Sequence, residues 1–368
     1  WPIGLYQGAL IGAQRVTVAS AINMAMVTIG SVGAVMVLAF VSPTIEAFFI
    51  WQAGVGLVYA ITMRAAAWQI IGKTKQNIFE VDELKRIWRF TAGMSAISLT
   101  GLVFTQLDKV ILSKMLGLEE FGHYMLATMV VSGLSLLVAP VYNVVYPRFS
   151  VLVATGEMEK LTDLYRSGTR LLATLLFPLA MLLSVFAEEL VLAWIGNPAL
   201  ALSVAPVISL MAIGSALHGV MYFPYALQLA SGMTRLPLTI NAILMVLLVP
   251  LLISFTSKYG AIGGAMAWLT LHVLYLLFGT WLTHRRLLKG IGAIWLIQDV
   301  GVPLMLSILV GQLGRHYLIQ NEDYSSFLKL MAGIGLALIA SAISILASQT
   351  LRAAILKNLG KKSTVTPA

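Results

Sequence analysis

The chain contains no cysteine. Disulfide frameworks, thiolate nucleophiles and Cys-based metal sites are therefore excluded. Charge is scarce too. Only 11% of the 368 residues are Asp, Glu, Lys or Arg, against about 25% in a soluble domain. Apolar residues take their place, at 59% of the chain, with a mean hydropathy of +0.90. A chain of this length cannot hide that excess in one core, because its surface still has to face water. The composition excludes a cytosolic enzyme, a disordered chain and a coiled coil. It leaves an all-α, polytopic membrane protein, since the apolar runs are about 20 residues long and fit helices rather than barrel strands.

Catalytic patterns are missing as well. There is no G-x-x-x-x-G-K-[ST], no H-E-x-x-H and no G-x-S-x-G, which argues against a P-loop pump, a zinc protease and a hydrolase elbow. The five histidines (123, 218, 272, 284 and 316) fall on different segments without metal spacing. The reading is of a protein that is not an enzyme and needs neither cofactor nor metal. The first residue is Trp1 rather than Met, with no signal-peptide pattern near it. This reads as an N-terminus lost by processing or as a fragment.

Ten hydrophobic segments can be drawn, at about 16–41, 44–63, 90–108, 122–146, 170–187, 203–227, 237–256, 261–283, 295–314 and 328–348. Their alternation sorts the connections into two groups. One holds 19 of the 24 basic residues and the other the remaining 5, while the acidic residues divide 7 to 8. Orientation follows Lys and Arg rather than Asp and Glu, so the basic group is cytoplasmic and both ends of the chain lie inside. The net charge of +9 then records topology, and nucleic acid drops out as a partner.

Two cytoplasmic connections are long. Residues 72–89 end in a basic amphipathic stretch suited to the inner membrane surface, and mark a boundary between bundles. Residues 147–170 form the second, with a short polar helix at Glu157, Glu159 and Lys160. Within the spans, Gly260-Ala-Ile-Gly-Gly264 and Gly333-x-Gly335 form small-residue faces for tight helix packing.

Ionisable residues at membrane depth are costly unless they face water or a partner. Hydropathy favours a third helix ending near Leu107, with Asp108 and Lys109 among the headgroups; a helix running to Leu116 would place Gln106, Asp108 and Lys109 inside the outer half. His218 lies within the sixth span with Tyr222 and Tyr225 following at i+4 and i+7. It reads first as a neutral histidine bonded to a neighbouring helix. Asp299, one turn inside the ninth span, reads as a partner for a cytoplasmic Lys or Arg.

The stretch around Asp108 carries a family pattern. TQLDKVILSKMLGLEEFGHYMLA (Thr105–Ala127) resembles the seventh-helix signature of Wzx-type polysaccharide flippases, of the multidrug/oligosaccharidyl-lipid/polysaccharide exporter superfamily. Leu5-Tyr-Gln-Gly-Ala-Leu-Ile-Gly-Ala-Gln-Arg15 resembles the loop before their fifth helix, and Val144-Val-Tyr-Pro-Arg-Phe149 the end of the eighth. The resemblance implies a two-lobed fold with two extra C-terminal helices. Residues 1–89 would be the remainder of the N-terminal lobe, about helices five and six, with its cytoplasmic linker. Residues 90–290 would be the six-helix C-terminal lobe, and 291–368 the extra pair and a basic tail. Four N-terminal helices would then be missing.

The same resemblance implies flipping of an undecaprenyl-diphosphate-linked oligosaccharide across the bacterial inner membrane, for O-antigen, capsule or another exopolysaccharide. Membrane lipids, a polysaccharide polymerase and a chain-length regulator would be the other partners. Lys109 and Lys114 would meet the diphosphate; Gln106, Asp108, Tyr142 and Asn143 the sugar hydroxyls. Arg15 and Arg148 would flank a cytoplasmic mouth, and Asp108 and His218 are the candidates for ion coupling. A multidrug/cation antiporter of the same superfamily is the alternative within transport. A membrane polysaccharide polymerase or ligase is the alternative from another class, and the short external connections disfavour it.

Overall fold

The computed structural model describes residues 2–13, 15–72, 82, 88, 99, 101–103, 105–319, 324–348 and 352. Those residues are helical, with turns between. The chain divides into two compact units, Trp1–Phe90 and Thr91–Ala368.

In the first unit, α1 (Pro2–Gly12) leads into α2 (Val16–Met36), which ends in a π-helical turn, Val37–Val41. Thr44 then caps α3 (Ile45–Ile71), its hydroxyl accepting the Ala47 N–H at 3.3 Å. Leu10, Ala19, Met63 and Ala67 form a small core. Glycine lets α2 and α3 approach: the Trp51 indole lies where a Cβ on Gly33 would be and donates to the Gly30 carbonyl at 3.1 Å.

The second unit contains α4 (helical over 105–115), α5 (Leu118–Ser132), α6 (Ser135–Ala154), α7 (Met158–Val185), α8 (Ala187–Ile195), α9 (Pro198–Val220) and α10 (Tyr222–Ala230). There follow α11 (Arg235–Leu274) with a π-helical turn at Tyr275–Gly279, α12 (Thr280–Arg286), α13 (Gly292–Ile294) with a second π-helical turn at Trp295–Gly301, α14 (Val302–Ile319) and α15 (Ser326–Ala347). The most buried helices are α7 and α9, which pack on each other; α5 and α11 close on α9, while α14 and α15 close on α7. Asn197 starts α9 by accepting the Leu200 N–H at 3.2 Å, with Pro198 in the first turn, where no N–H is needed.

Among the described residues, eight helical stretches are long and apolar enough to cross a membrane. The stretch Arg235–Arg286 is 52 residues long and holds two of the ten expected segments. The third expected segment, 90–108, and the connection 72–89 lie largely outside the described residues. The fourth, 122–146, is divided between α5 and α6, which break at Gly133 and Leu134. The connection expected at 147–170 is shorter than its composition suggests. The α6 helix continues through Pro147 and Arg148 to Ala154, and α7 starts at Met158. In the link between them, hydrogen bonds from the Lys160 ammonium and the Thr155 hydroxyl hold the Glu157 carboxyl below its ordinary range.

Small residues do bring helices together, but not all those expected. A Cβ on Gly214 of α9 would sit 3.1 Å from the Leu269 Cα of α11 and one on Gly333 2.9 Å from the Leu182 and Phe186 side chains, whereas Gly335 faces open space. Gly260 divides α11. Its φ of 58° and ψ of −136° break the helix, and the Glu120 carboxylate occupies the place of a Cβ while accepting the Ala261 N–H at 2.7 Å. Glu120 thus caps the second half of α11, where an anion also meets the positive helix end. Gly260→Ala is expected to destabilise the protein by about 2–3 kcal/mol, because alanine is strained at this φ and displaces the cap. The midpoint of thermal unfolding in detergent measures it, and an unchanged midpoint would refute the account.

Candidate functional site

The α4 helix does not stop at Leu107. It runs through Asp108 and Lys109 to residue 115, which corrects the expectation from hydropathy. The physical reason is mutual neutralisation. Asp108 is buried, at 1% exposure, and Lys109 Nζ lies 3.2 and 3.4 Å from its two carboxylate oxygens. Lys109 also donates to the Thr105 carbonyl at 2.8 Å, and the Tyr124 hydroxyl of α5 donates to Asp108 Oδ2 at 2.8 Å. A hydropathy sum counts two charges; the folded helix carries one neutral, hydrogen-bonded pair.

One turn before Lys109, Thr105 lines a cavity of about 200 Å³. His218, Met221, Tyr222, Tyr225, Asn241 and Tyr275 complete its wall with Gly101. Tyr142 of α6 extends the aromatic surface. Its ring stacks on Tyr146 at 5.6 Å between centroids, meets Tyr222 edge-on at 5.7 Å and lies 6.1 Å from Tyr225. His218 lies 4.8 Å from the His272 ring and 5.6 Å from Tyr222. His272 Nδ1 bonds the Trp268 carbonyl at 2.8 Å, so that nitrogen carries the proton and Nε2 is left as an acceptor, buried and with no hydrogen-bond partner among the described residues. The site is therefore an aromatic pocket with two imidazoles, an amide and several phenols, next to a paired ammonium. His272, Asn241 and Tyr275 are not legible from the sequence, because each comes from a helix distant in the chain from His218 and Tyr222. The repeats Tyr142/Tyr146, His218/Tyr222 and Tyr222/Tyr225 are the available signal, placing rings on one helix face.

The other expected residues are dispersed. Gln106, Lys114, Asn143 and Arg148 are exposed on α4 and α6, and Arg15 is exposed at the junction of α1 and α2 in the first unit. None of them shares the cavity wall. No group of metal-ligating side chains occurs among the described residues.

A second polar centre lies at the α7 end richest in basic residues. Asp299, fully buried, accepts from Arg166 Nε at 2.8 Å and from Arg170 Nε at 3.0 Å. Asp299 thus has the Arg partner its position suggested, and a second besides. Beside it, Trp295 Nε1 donates to Thr169 Oγ1 at 3.0 Å and Tyr165 shares a 2.9 Å bond with His284 Nε2. This centre fixes α12, α13 and the second π-helical turn to α7.

A bundle of long apolar helices enclosing a polar, aromatic pocket defines a multi-pass helical membrane protein. The chain belongs to the family of polysaccharide biosynthesis proteins, whose sequence profile matches residues 13–201, just over half of it. It is 21% identical over 234 residues to a Shigella flexneri protein provisionally designated an O-antigen transporter, a match covering 62% of this chain and 55% of that protein. The chain therefore spans about half the length of this curated relative. Its fold is similar to that of the lipid II flippase MurJ in an inward closed conformation, with a TM-score of 0.62 at 15% identity. That match covers 85% of this chain and 64% of the other. These findings bear out the resemblance to the Wzx-type flippases and the all-α, membrane-spanning fold.

Proposed function

We propose that the protein carrying this chain flips an undecaprenyl-diphosphate-linked oligosaccharide across the bacterial inner membrane, with both ends of the chain cytoplasmic. The observation that carries this reading is the tyrosine-walled cavity beside Lys109. A sugar leaving water needs ring faces to stack on and hydrogen-bond partners for its hydroxyls. Tyr142, Tyr222, Tyr225 and Asn241 offer both. A diphosphate needs a cation, and Lys109 lies one turn away, one-fifth exposed. Gln106, Lys114, Asn143, Arg15 and Arg148 are assigned to the path outside the cavity, and Asp108 and His218 to ion coupling. A polymerase and a chain-length regulator are the proposed protein partners. An aromatic wall alone would also suit an organic cation, as in a multidrug antiporter. Lys109, one-fifth exposed against 1% for Asp108, is the member of the pair that a substrate can reach, which favours an anionic substrate over a cationic one.

Complementation of a strain lacking its own polysaccharide flippase, with the complete gene, tests this function. Tyr142→Ala is expected to lower surface polysaccharide about tenfold and Tyr142→Phe less than about threefold, because stacking uses the ring rather than the hydroxyl. Equal losses in both variants would overturn the stacking role.

A further inference from the structure

A crevice of about 720 Å³ opens where α12 turns into α13. Leu277, Trp281 and Arg285 follow one another at intervals of four along its wall. The wall therefore runs from the apolar part of the Arg235–Arg286 span to its basic end. Gly290, at φ 89°, turns the chain, and Lys289 joins the wall from that turn. Leu277 and Trp281 are exposed. The Arg285 guanidinium lies over the Trp281 ring, 5.3 Å from its centre. The indole covers one face of the cation and leaves its N–H edge available. No acidic side chain lines the crevice, and neither Arg285 nor Lys289 is in an ion pair among the described residues.

Behind these cations stands His284, which lines the same crevice at 3% exposure. The Tyr165 hydroxyl is buried, and among the described residues its hydrogen-bond partner is His284 Nε2, at 2.9 Å. The phenol proton therefore goes to Nε2, and the imidazole keeps its own proton on Nδ1. That Nδ1–H is buried and has no acceptor among the described residues, a costly state for a donor. Gly292 stands at this edge of the ring, and the place a Cβ would take there lies 3.4 Å from Nδ1. The glycine leaves space for an acceptor where any other residue would put carbon.

We propose that this crevice binds a phosphate group, received by Arg285, Lys289 and the Nδ1–H of His284, and that an anionic phospholipid headgroup supplies it. The order along the wall matches the order of parts in such a lipid. Leu277 lies beside the acyl chain, Trp281 at the level of the glycerol and the two cations at the headgroup. Trp and Arg at a helix end are general membrane anchors; the buried donor behind them is what makes this place a site. It shares no lining residue with the tyrosine-walled cavity and does not depend on what the protein transports.

Native mass spectrometry of the detergent-purified protein, titrated with phosphatidylglycerol, phosphatidylcholine and inorganic phosphate, tests it. One phosphatidylglycerol per chain is expected to bind about tenfold more tightly than phosphatidylcholine, whose choline brings a further positive charge to the two cations. Arg285→Gln and Gly292→Ala are each expected to cut that preference below about threefold, the first by removing a charge-assisted donor and the second by filling the space at Nδ1. Arg286→Gln, at the neighbouring exposed arginine outside the crevice wall, is expected to keep the full preference. Equal binding of both lipids to the wild type would overturn the proposal. So would an equal loss in Arg286→Gln and Arg285→Gln, which would reduce the effect to general surface charge. Displacement of phosphatidylglycerol by millimolar inorganic phosphate would overturn the lipid as the source of the group.

Discussion

Replacing Lys109 by alanine is expected to reduce complementation of a flippase-deficient strain to background, while the protein still reaches the membrane. Two effects contribute, and they can be separated. Lys109 is the only cation bonded to the buried Asp108 among the described residues, and Tyr124 alone remains when it is removed. Breaking a fully buried ion pair costs about 3–5 kcal/mol. Lys109 is one-fifth exposed, so the expected destabilisation is about 2 kcal/mol. That loss lowers the amount of protein without abolishing it. The second effect is the loss of the cation offered to the diphosphate. Adding Asp108→Asn to Lys109→Ala cancels the uncompensated charge and is expected to restore the unfolding midpoint. Transport is expected to stay at background in this double variant. Wild-type transport there would show that Lys109 serves only to hold Asp108, and would remove it from the substrate path.

The same pair shows what the sequence could and could not convey. The apolar runs at 16–41, 44–63 and 328–348 are legible because a lipid-facing helix must be apolar along its length, and α2, α3 and α15 occupy them. The end of α4 was not legible. Whether a helix continues through Asp108 and Lys109 depends on whether their charges find partners, and Tyr124 lies on the following helix. The divide between α5 and α6 is equally hidden, since a single Gly133 inside an apolar run is compatible with a continuous helix. The chemistry followed the same rule. His218 with Tyr222 could be paired by spacing along the chain, whereas His272 reaches His218 from α11. Proximity between distant helices is set by packing, here by the close approach at Gly214, which a single sequence does not encode visibly.

Asp299→Ala is expected to be the most destabilising single substitution in the second unit, at about 3–5 kcal/mol. The carboxylate is fully buried and receives both Arg166 and Arg170. Its removal leaves two guanidinium groups facing each other on one helix face, where Gln298 and Ser348 are neutral acceptors among the described residues. Attraction then becomes repulsion at a site partly shielded from solvent. Arg170 also bonds Ser348, just past the end of α15, so the disturbance should reach the last helix as well as the Trp295–Gly301 turn. Thermal unfolding in detergent measures the loss, and hydrogen exchange should show it concentrated in α15. Because the group is buried, added salt should restore little of the stability, unlike a surface pair. The stability of the centre comes from matched charge and not from charge as such. Replacing all three residues by apolar ones of similar volume (Arg166→Met, Arg170→Met and Asp299→Leu) should therefore recover most of what Asp299→Ala loses. If the triple variant is as unstable as the single one, the centre contributes through hydrogen bonds to Ser348 and Gln298 that no apolar packing replaces.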